Sequence, residues 1–227
     1  MYKNPRTAKC YIFDLDGTIY DSYGDIAYCC NEALMEFSLP AHEKEKYLSF
    51  IGNGEKLLIE RAVGKNLKND KNFSLICDKI RKRYKEIYIE NYNRTSKPFY
   101  GITELLNELK SEGKIIFIAS NKSDSFVREI NKTVFNGVFD DVVGKKDGYE
   151  VKPDNKAVNE LIEKFNLSPG DCFFIGDSDV DVETAYRAYM KSILVTYGYG
   201  NKEQALRMGP HFVVETVSDL RKLICEK

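Results

Sequence analysis

No hydrophobic run in this 227-residue chain is long enough to cross a bilayer, and its first residues lack the charged and then apolar form of a secretion signal. Residues 1–9 are polar and carry Pro5, and Asp14 soon interrupts the apolar run that follows. A cytoplasmic protein with no membrane partner is expected. Excess charge of either sign is also missing: 34 Lys and Arg stand against 35 Asp and Glu, a formal net charge of -1. That balance gives no bulk attraction to nucleic acid, so any anion must be recognised locally. Paired cysteine spacing is absent too. Cys10, Cys29, Cys30, Cys77, Cys172 and Cys225 form no CxxC and several sit in apolar runs, which reads as buried, reduced thiols. Asn-x-Ser/Thr sequons begin at Asn93, Asn131 and Asn166, but without export they are chance matches. There is no internal repeat and no low-complexity tract.

What the chain does have is material for a core. A hydrophobic fraction of 43% beside 30% charged residues predicts folding throughout, as one large domain or one domain carrying a smaller insertion. Near-continuous apolar runs at residues 10–13, 115–119, 142–143, 172–175, 193–195 and 212–214 read as strands covered on both faces. Amphipathic segments at 103–111, 124–132, 155–165, 180–189 and 217–224 alternate with them. Repeated strand-then-helix order predicts an α/β fold with a parallel sheet and right-handed crossovers. Residues 21–92 break the alternation, with helical periodicity, many charges and no strand, so they read as a helical insertion after the first strand. Leaving from a strand's carboxyl end, such an insertion is expected over the site, as a lid. Pro98 and Gly101 mark the return.

The most informative segment is Phe13-Asp14-Leu15-Asp16-Gly17-Thr18. In extended backbone, positions i and i+2 face the same way, so two carboxylates meet at the strand end, at a cost that a cation or a shared proton must offset. Gly17 permits a sharp exit there. A second apolar strand ends in Gly176-Asp177-Ser178-Asp179-Val180-Asp181. Its Asp spacing imitates half a calcium loop, but that loop wants Gly and Glu where Val182 and Ala188 stand. Both acidic clusters end parallel strands and are expected to converge as hard oxygen ligands for Mg²⁺, with Asp177 nearest the strand end and Asp181 a direct or indirect partner. Asp179 reads as a helix N-terminal carboxylate. Ser120 and Asn121 end a third strand, where hydroxyl and N–H groups can hold a phosphate oxygen, although Ser and Asn are also ordinary turn residues. Lys152, in Val151-Lys152-Pro153-Asp154, would supply a fixed cation among these carboxylates.

In that order, these segments resemble the four motifs of the haloacid dehalogenase superfamily: Asp14-Leu15-Asp16-Gly17-Thr18, Ser120, Lys152 with Pro153, and Gly176-Asp177 with Asp181. Ile51-Gly52-Asn53-Gly54, Glu60-Arg61-Ala62 and Val195-Thr196-Tyr197-Gly198-Tyr199-Gly200 are similar to the phosphoglycolate phosphatase group within it. Tyr20 departs from the small or aliphatic residue more usual after the first motif. The resemblance implies a Rossmann-like core over residues 1–20 and 95–227, a helical C1-type cap over 21–94, and Mg²⁺ dependence.

It also implies roles. Asp14 is expected as the nucleophile and Asp16 as the acid and then the base, with Ser120, Asn121 and Lys152 on the phosphate, and Asp14, Asp16, Asp177 and Asp181 at the metal. Asn53 is expected to meet the substrate, and Arg61 to pair with a substrate carboxylate unless it is only a solvated cation. The partner is then a small phosphorylated metabolite and the protein a monomer or homodimer. A pyrophosphatase, a sugar-phosphate phosphatase or a mutase of the same superfamily shares the scaffold. A phosphate-receiving signalling domain also combines strand-end carboxylates with Ser and Lys, but the second carboxylate and the long insertion favour hydrolysis. A dehalogenase would have no use for Asp16 or Asp177.

Overall fold

The computed structural model describes residues 4–64, 67 and 71–225. The chain folds as two units, Met1–Asp21 with Pro98–Lys227, and Ser22–Lys97.

The first unit is organised by β1 (Cys10–Phe13), whose four residues are all fully buried. Side chains alternate across its pleat: Tyr11 and Phe13 meet Phe173 and Phe139 on one side, while Cys10 and Ile12 enter a cluster with Phe117, Phe174 and Leu161 on the other. Each such aromatic or aliphatic side chain contributes roughly 1.5–3 kcal/mol by leaving water. After β1 come β2 (Tyr20–Asp21) and, following the second unit, β3 (Lys97–Pro98). These form a short two-stranded ribbon where the chain leaves and re-enters. Tyr20, the unusual residue of the first motif, is fully buried edge-on to Phe135.

The second unit holds α1 (Tyr23–Glu36), α2 (Gly54–Val63) and α3 (Phe73–Asn91). Its two ends are tied together by Asp25, whose carboxylate accepts the backbone N–H and hydroxyl of both Thr95 and Ser96 at 2.6–3.1 Å. Burial works against ionisation of Asp25, yet these four donors hold its pKa below the ordinary carboxylate value.

Back in the first unit, α4 (Ile102–Ser111), β4 (Ile115–Ser123), α5 (Asp124–Thr133), β5 (Asp141–Lys145), α6 (Lys156–Lys164), β6 (Cys172–Gly176), α7 (Asp179–Arg187), β7 (Lys191–Val195), α8 (Lys202–Arg207), β8 (Phe212–Val214) and α9 (Val217–Ile224) follow in turn. The large sheet runs β5-β4-β1-β6-β7-β8 with every pairing parallel. Helices bury a stripe on it, as with Val158, Leu161 and Ile162 of α6 at i, i+3 and i+4. Among the described residues, no helix is long and apolar enough to cross a membrane.

Register sets where the chemistry falls. Phe13 of β1 lies level with Ile118 of β4 and Ile175 of β6. The residues just beyond, Asp14, Ala119-Ser120 and Gly176-Asp177, therefore share one sheet edge at the point where strand order reverses, the edge at which open α/β sheets bind ligands. The sequence pattern ends the third strand at residue 119, whereas β4 continues to Ser123 through a register shift against β5. Ser120, Asn121 and Lys122 are buried despite their polarity.

Candidate active site

Asp14 leaves β1 with its N–H still bonded to Ile175 O at 2.8 Å, which fixes its backbone at the sheet edge. Lys152 Nζ reaches in from the loop before α6 and donates to Asp14 Oδ1 and to Asp181 Oδ1, both at 2.7 Å. The lysine is 7% exposed and lies over the Phe174 ring. Burial alone would favour neutral lysine, but the two carboxylates reverse that and push its pKa up. Asp181 is anchored from its own helix: its Oδ2 accepts Ser178 N–H at 3.1 Å and Ser178 Oγ–H at 2.6 Å at the start of α7. Asp179, beside it, sits in the first turn and accepts from Gln204, away from Lys152.

Asp177 completes the cluster. Its Oδ2 accepts the N–H groups of Tyr199 at 2.6 Å and Gly200 at 2.9 Å, and Thr18 Oγ faces its Oδ1 at 3.3 Å. This wrapping dictates glycine nearby. At Gly17, where φ is +90°, a Cβ would lie 2.3 Å from Asp177 Oδ2, and at Gly198 it would lie 2.3 Å from Gly17 O. Tyr197 donates to Thr18 O, Tyr199 donates to Asp21 Oδ1, and Phe99 packs against both rings.

Asp14, Asp177 and Asp181 each bring one oxygen within 4.8 Å of the others. Three carboxylates against one lysine leave negative charge uncompensated. Burial first, and the neighbouring carboxylates after it, raise Asp14 to about 8 and Asp177 to about 6. Such a set of hard, crowded oxygens suits a divalent cation of the Mg²⁺ kind.

Asp16 lies apart from this trio. The sequence pattern expects it among the metal ligands, but its side chain is bonded through both oxygens to Lys122 Nζ, at 2.9 and 3.1 Å. The expected phosphate group also divides. Ser120 is buried at the sheet edge, where its Oγ accepts Lys122 N–H at 3.2 Å. Asn121 holds a loop: its Oδ1 accepts Lys152 N–H at 2.6 Å and its Nδ2 donates to Lys152 O at 3.3 Å, which fixes the backbone carrying the lysine. In the helical unit, Arg61 donates to Phe50 O at 2.8 Å and to Asn53 Oδ1 at 2.7 Å, so the two expected substrate residues are bonded to each other.

Sequence reasoning missed Lys122 and the grip of residues 197–200 on Asp177. Lys122 had a signal, since in an extended strand it faces the same way as Ser120, two residues before it.

Comparison with known proteins identifies the family of the chain. The model of the haloacid dehalogenase-like hydrolase family matches residues 11–195. A phosphoglycolate phosphatase from Mannheimia succiniciproducens is 32% identical over 220 residues, covering 93% of this chain and 96% of that protein. One from Aquifex aeolicus is 31% identical over 221 residues, covering 95% and 96%. The crystal structure of a predicted phosphoglycolate phosphatase from Haemophilus somnus matches with a TM-score of 0.88 at 28% identity, over 95% of this chain and 97% of that one. The chain belongs to the haloacid dehalogenase-like hydrolase family and is a phosphoglycolate phosphatase-like phosphatase within it.

Proposed function

We propose that the protein hydrolyses small phosphate monoesters by passing the phosphoryl group to Asp14 and then to water. The observation that carries this is the pairing of each first-motif aspartate with its own lysine, Asp14 with Lys152 and Asp16 with Lys122, beside Asp177 and Asp181. One carboxylate is thereby held in the buried acidic cluster and the other apart from it, the division of labour that covalent phosphoryl transfer needs.

In the first step an Asp14 oxygen bonds to phosphorus as the ester P–O bond breaks, and the departing oxygen takes its electron pair and a proton from Asp16. In the second, Asp16 removes a proton from water, whose oxygen bonds to phosphorus as the bond between phosphorus and the Asp14 oxygen breaks, which returns Asp14 to its carboxylate and Asp16 to its protonated form. Lys152 holds the nucleophile and places positive charge at the transferring group, while Ser120 contributes a hydroxyl to the phosphate oxygens. Asn121 acts by holding the Lys152 backbone. Asp14, Asp177 and Asp181 would hold Mg²⁺, which when bound supplies positive charge against the phosphate oxygens.

The relatives' names make a small carboxylate-bearing ester such as phosphoglycolate the first candidate substrate, and the helical unit is proposed as the cap that selects it. Arg61, already oriented by Phe50 and Asn53, is the cap residue suited to a carboxylate. Turnover of p-nitrophenyl phosphate with Mg²⁺, abolished by chelator, is the expected result. One stoichiometric phosphoryl label without turnover would overturn hydrolysis in favour of a phosphate-receiving switch. A panel of phosphoglycolate, pyrophosphate, sugar phosphates and nucleotides then ranks the substrates. Arg61→Ala should raise KM for a carboxylate-bearing ester and leave a carboxylate-free one unchanged.

A further inference from the structure

Lys122 lies two residues past Ser120 on β4, in the part of the strand that the polar sequence hides. Its side chain is 5% exposed and that of Asp16 13%, and both carboxylate oxygens of Asp16 lie within hydrogen-bond distance of its Nζ. β4, which carries Lys122, neighbours β1, which leads into Asp16, and the two strands are level at Phe13 and Ile118, so the chain passes the same edge in both. The lysine backbone is itself pinned, through its N–H to Ser120 Oγ. Lys152 serves Asp14 and Asp181, so the two buried lysines divide the first-motif aspartates between them.

A lone aspartate beyond a strand end has several staggered side-chain rotamers open to it, whereas one bonded through both oxygens to a fixed ammonium is confined to the rotamer that meets it. We propose that Lys122 is a positioning residue for Asp16, acting on the reaction only by fixing the orientation of that carboxyl group for proton transfer at the leaving oxygen. This rests on the phosphatase reading above, in which Asp16 serves the leaving oxygen.

The role makes a prediction that a general structural contribution does not. A nitrophenolate leaves readily as an anion, while an alkoxide needs the acid. We would therefore compare kcat/KM for p-nitrophenyl phosphate and for an alkyl phosphate in the full chain with Mg²⁺, in Lys122→Met, Lys122→Gln, Lys122→Arg, Asp16→Asn and the Asp16→Asn/Lys122→Met double variant.

Asp16→Asn should lose about 10²- to 10⁴-fold on the alkyl ester and much less on the nitrophenyl ester. Lys122→Met and Lys122→Gln should show the same bias at about 10- to 100-fold, the usual size for a residue that orients another. Lys122→Arg should recover part of the loss. In the Asp16→Asn background, removing Lys122 should cost nothing further. The double variant buries no unpaired charge and keeps the comparison usable if a single Lys122 variant folds poorly.

Equal losses on the two esters, or an undiminished Lys122 effect once Asp16 is neutral, would overturn the positioning role while leaving the phosphatase reading intact. No turnover of either ester by the unmodified protein would overturn that reading, and the role with it.

Discussion

Replacing Lys152 by methionine keeps a chain of similar length and removes one charge from the most crowded part of the molecule. The lysine is 7% exposed and donates to Asp14 and Asp181 at 2.7 Å each, so its loss strands two carboxylates that are 13% and 2% exposed. Removing one partner of a buried ion pair costs about 3–5 kcal/mol, because the charge left behind has neither water nor counterion. Two stranded partners put Lys152→Met at the upper end of that range, unless one takes up a proton. Asp14 is the group that will. Burial and its neighbours already raise its pKa to about 8, against an ordinary value of 3.8, and losing Lys152 removes the main influence lowering it.

An acid whose folded pKa lies above its unfolded one binds its proton more tightly in the folded state, so stability falls as pH rises between the two values. Below about pH 8 Asp14 keeps its proton in the folded state of both proteins, so the penalty of Lys152→Met should be level between pH 5 and pH 7 and grow above pH 8, where the unmodified protein ionises Asp14 against Lys152 and the variant does not. Urea denaturation of the metal-free protein at pH 7 and pH 9 measures it, as a drop in midpoint at constant slope. A midpoint at pH 9 matching that of the unmodified protein, or a loss larger at pH 7 than at pH 9, would refute the reasoning.

Asp14→Asn should abolish turnover and hydroxylamine-labile phosphoryl labelling while leaving the far-ultraviolet spectrum unchanged; residual turnover near the unmodified rate would remove Asp14 as nucleophile. Gly198→Ala places a methyl 2.3 Å from Gly17 O and 2.4 Å from Asp177 Cβ, and should cost about 1–3 kcal/mol by denaturation and shrink the thermal shift produced by Mg²⁺. Asp25→Ala removes the acceptor for the four donors that tie Thr95 and Ser96 to α1. It should cost about 2–4 kcal/mol at neutral pH, each bond to a charged group being worth roughly 1.5–3 when counted singly. Because the folded pKa of Asp25 is lowered, its contribution is complete above the ordinary value and fades as pH falls through the folded one. The denaturation gap between Asp25→Ala and the unmodified protein should therefore close in acid, and a gap constant down to pH 2 would contradict this.

Much of the sheet was legible because strands such as β1 and β6 are buried on both faces and read as unbroken apolar runs, and β8 and α9 also fall at their expected bounds. Legibility failed where polar residues are buried by long-range partners. Ser120-Asn121-Lys122 looks like the turn after a strand, yet it remains strand because Lys122 meets Asp16, 106 positions away, and Asn121 meets Lys152, 31 away. The same locality hid the true work of Asn121, whose amide reads equally well as a phosphate donor until its two bonds to the Lys152 backbone are seen. α8 escaped because it spans only Lys202–Arg207 and buries Ala205 alone, too little apolar pattern to detect. Asp14 and Asp177 were readable for the opposite reason, since each directly follows an apolar strand and the β1–β6 register brings them to one edge.

The charges also explain why two aspartates two residues apart take different partners. Leu15 between them is fully buried, and Gly17 follows at φ +90°, so the chain turns sharply as soon as the strand ends. Asp14 thereby stays level with β6 and the Asp177 and Asp181 carboxylates, while Asp16 comes to the β4 side and Lys122. With Lys152 shared between Asp14 and Asp181, the hydrogen bonds to Asp177 come from neutral groups, Thr18 Oγ and the Tyr199 and Gly200 N–H groups. Neutral donors orient a carboxylate without cancelling its charge, so the uncompensated charge concentrates at Asp177, beside the proposed nucleophile Asp14. A phosphate dianion arriving there meets repulsion from the same side as Asp14. It can approach only when positive charge stands at Asp177, which makes that residue the one whose neutralisation to asparagine should weaken Mg²⁺ binding without disturbing either lysine pair.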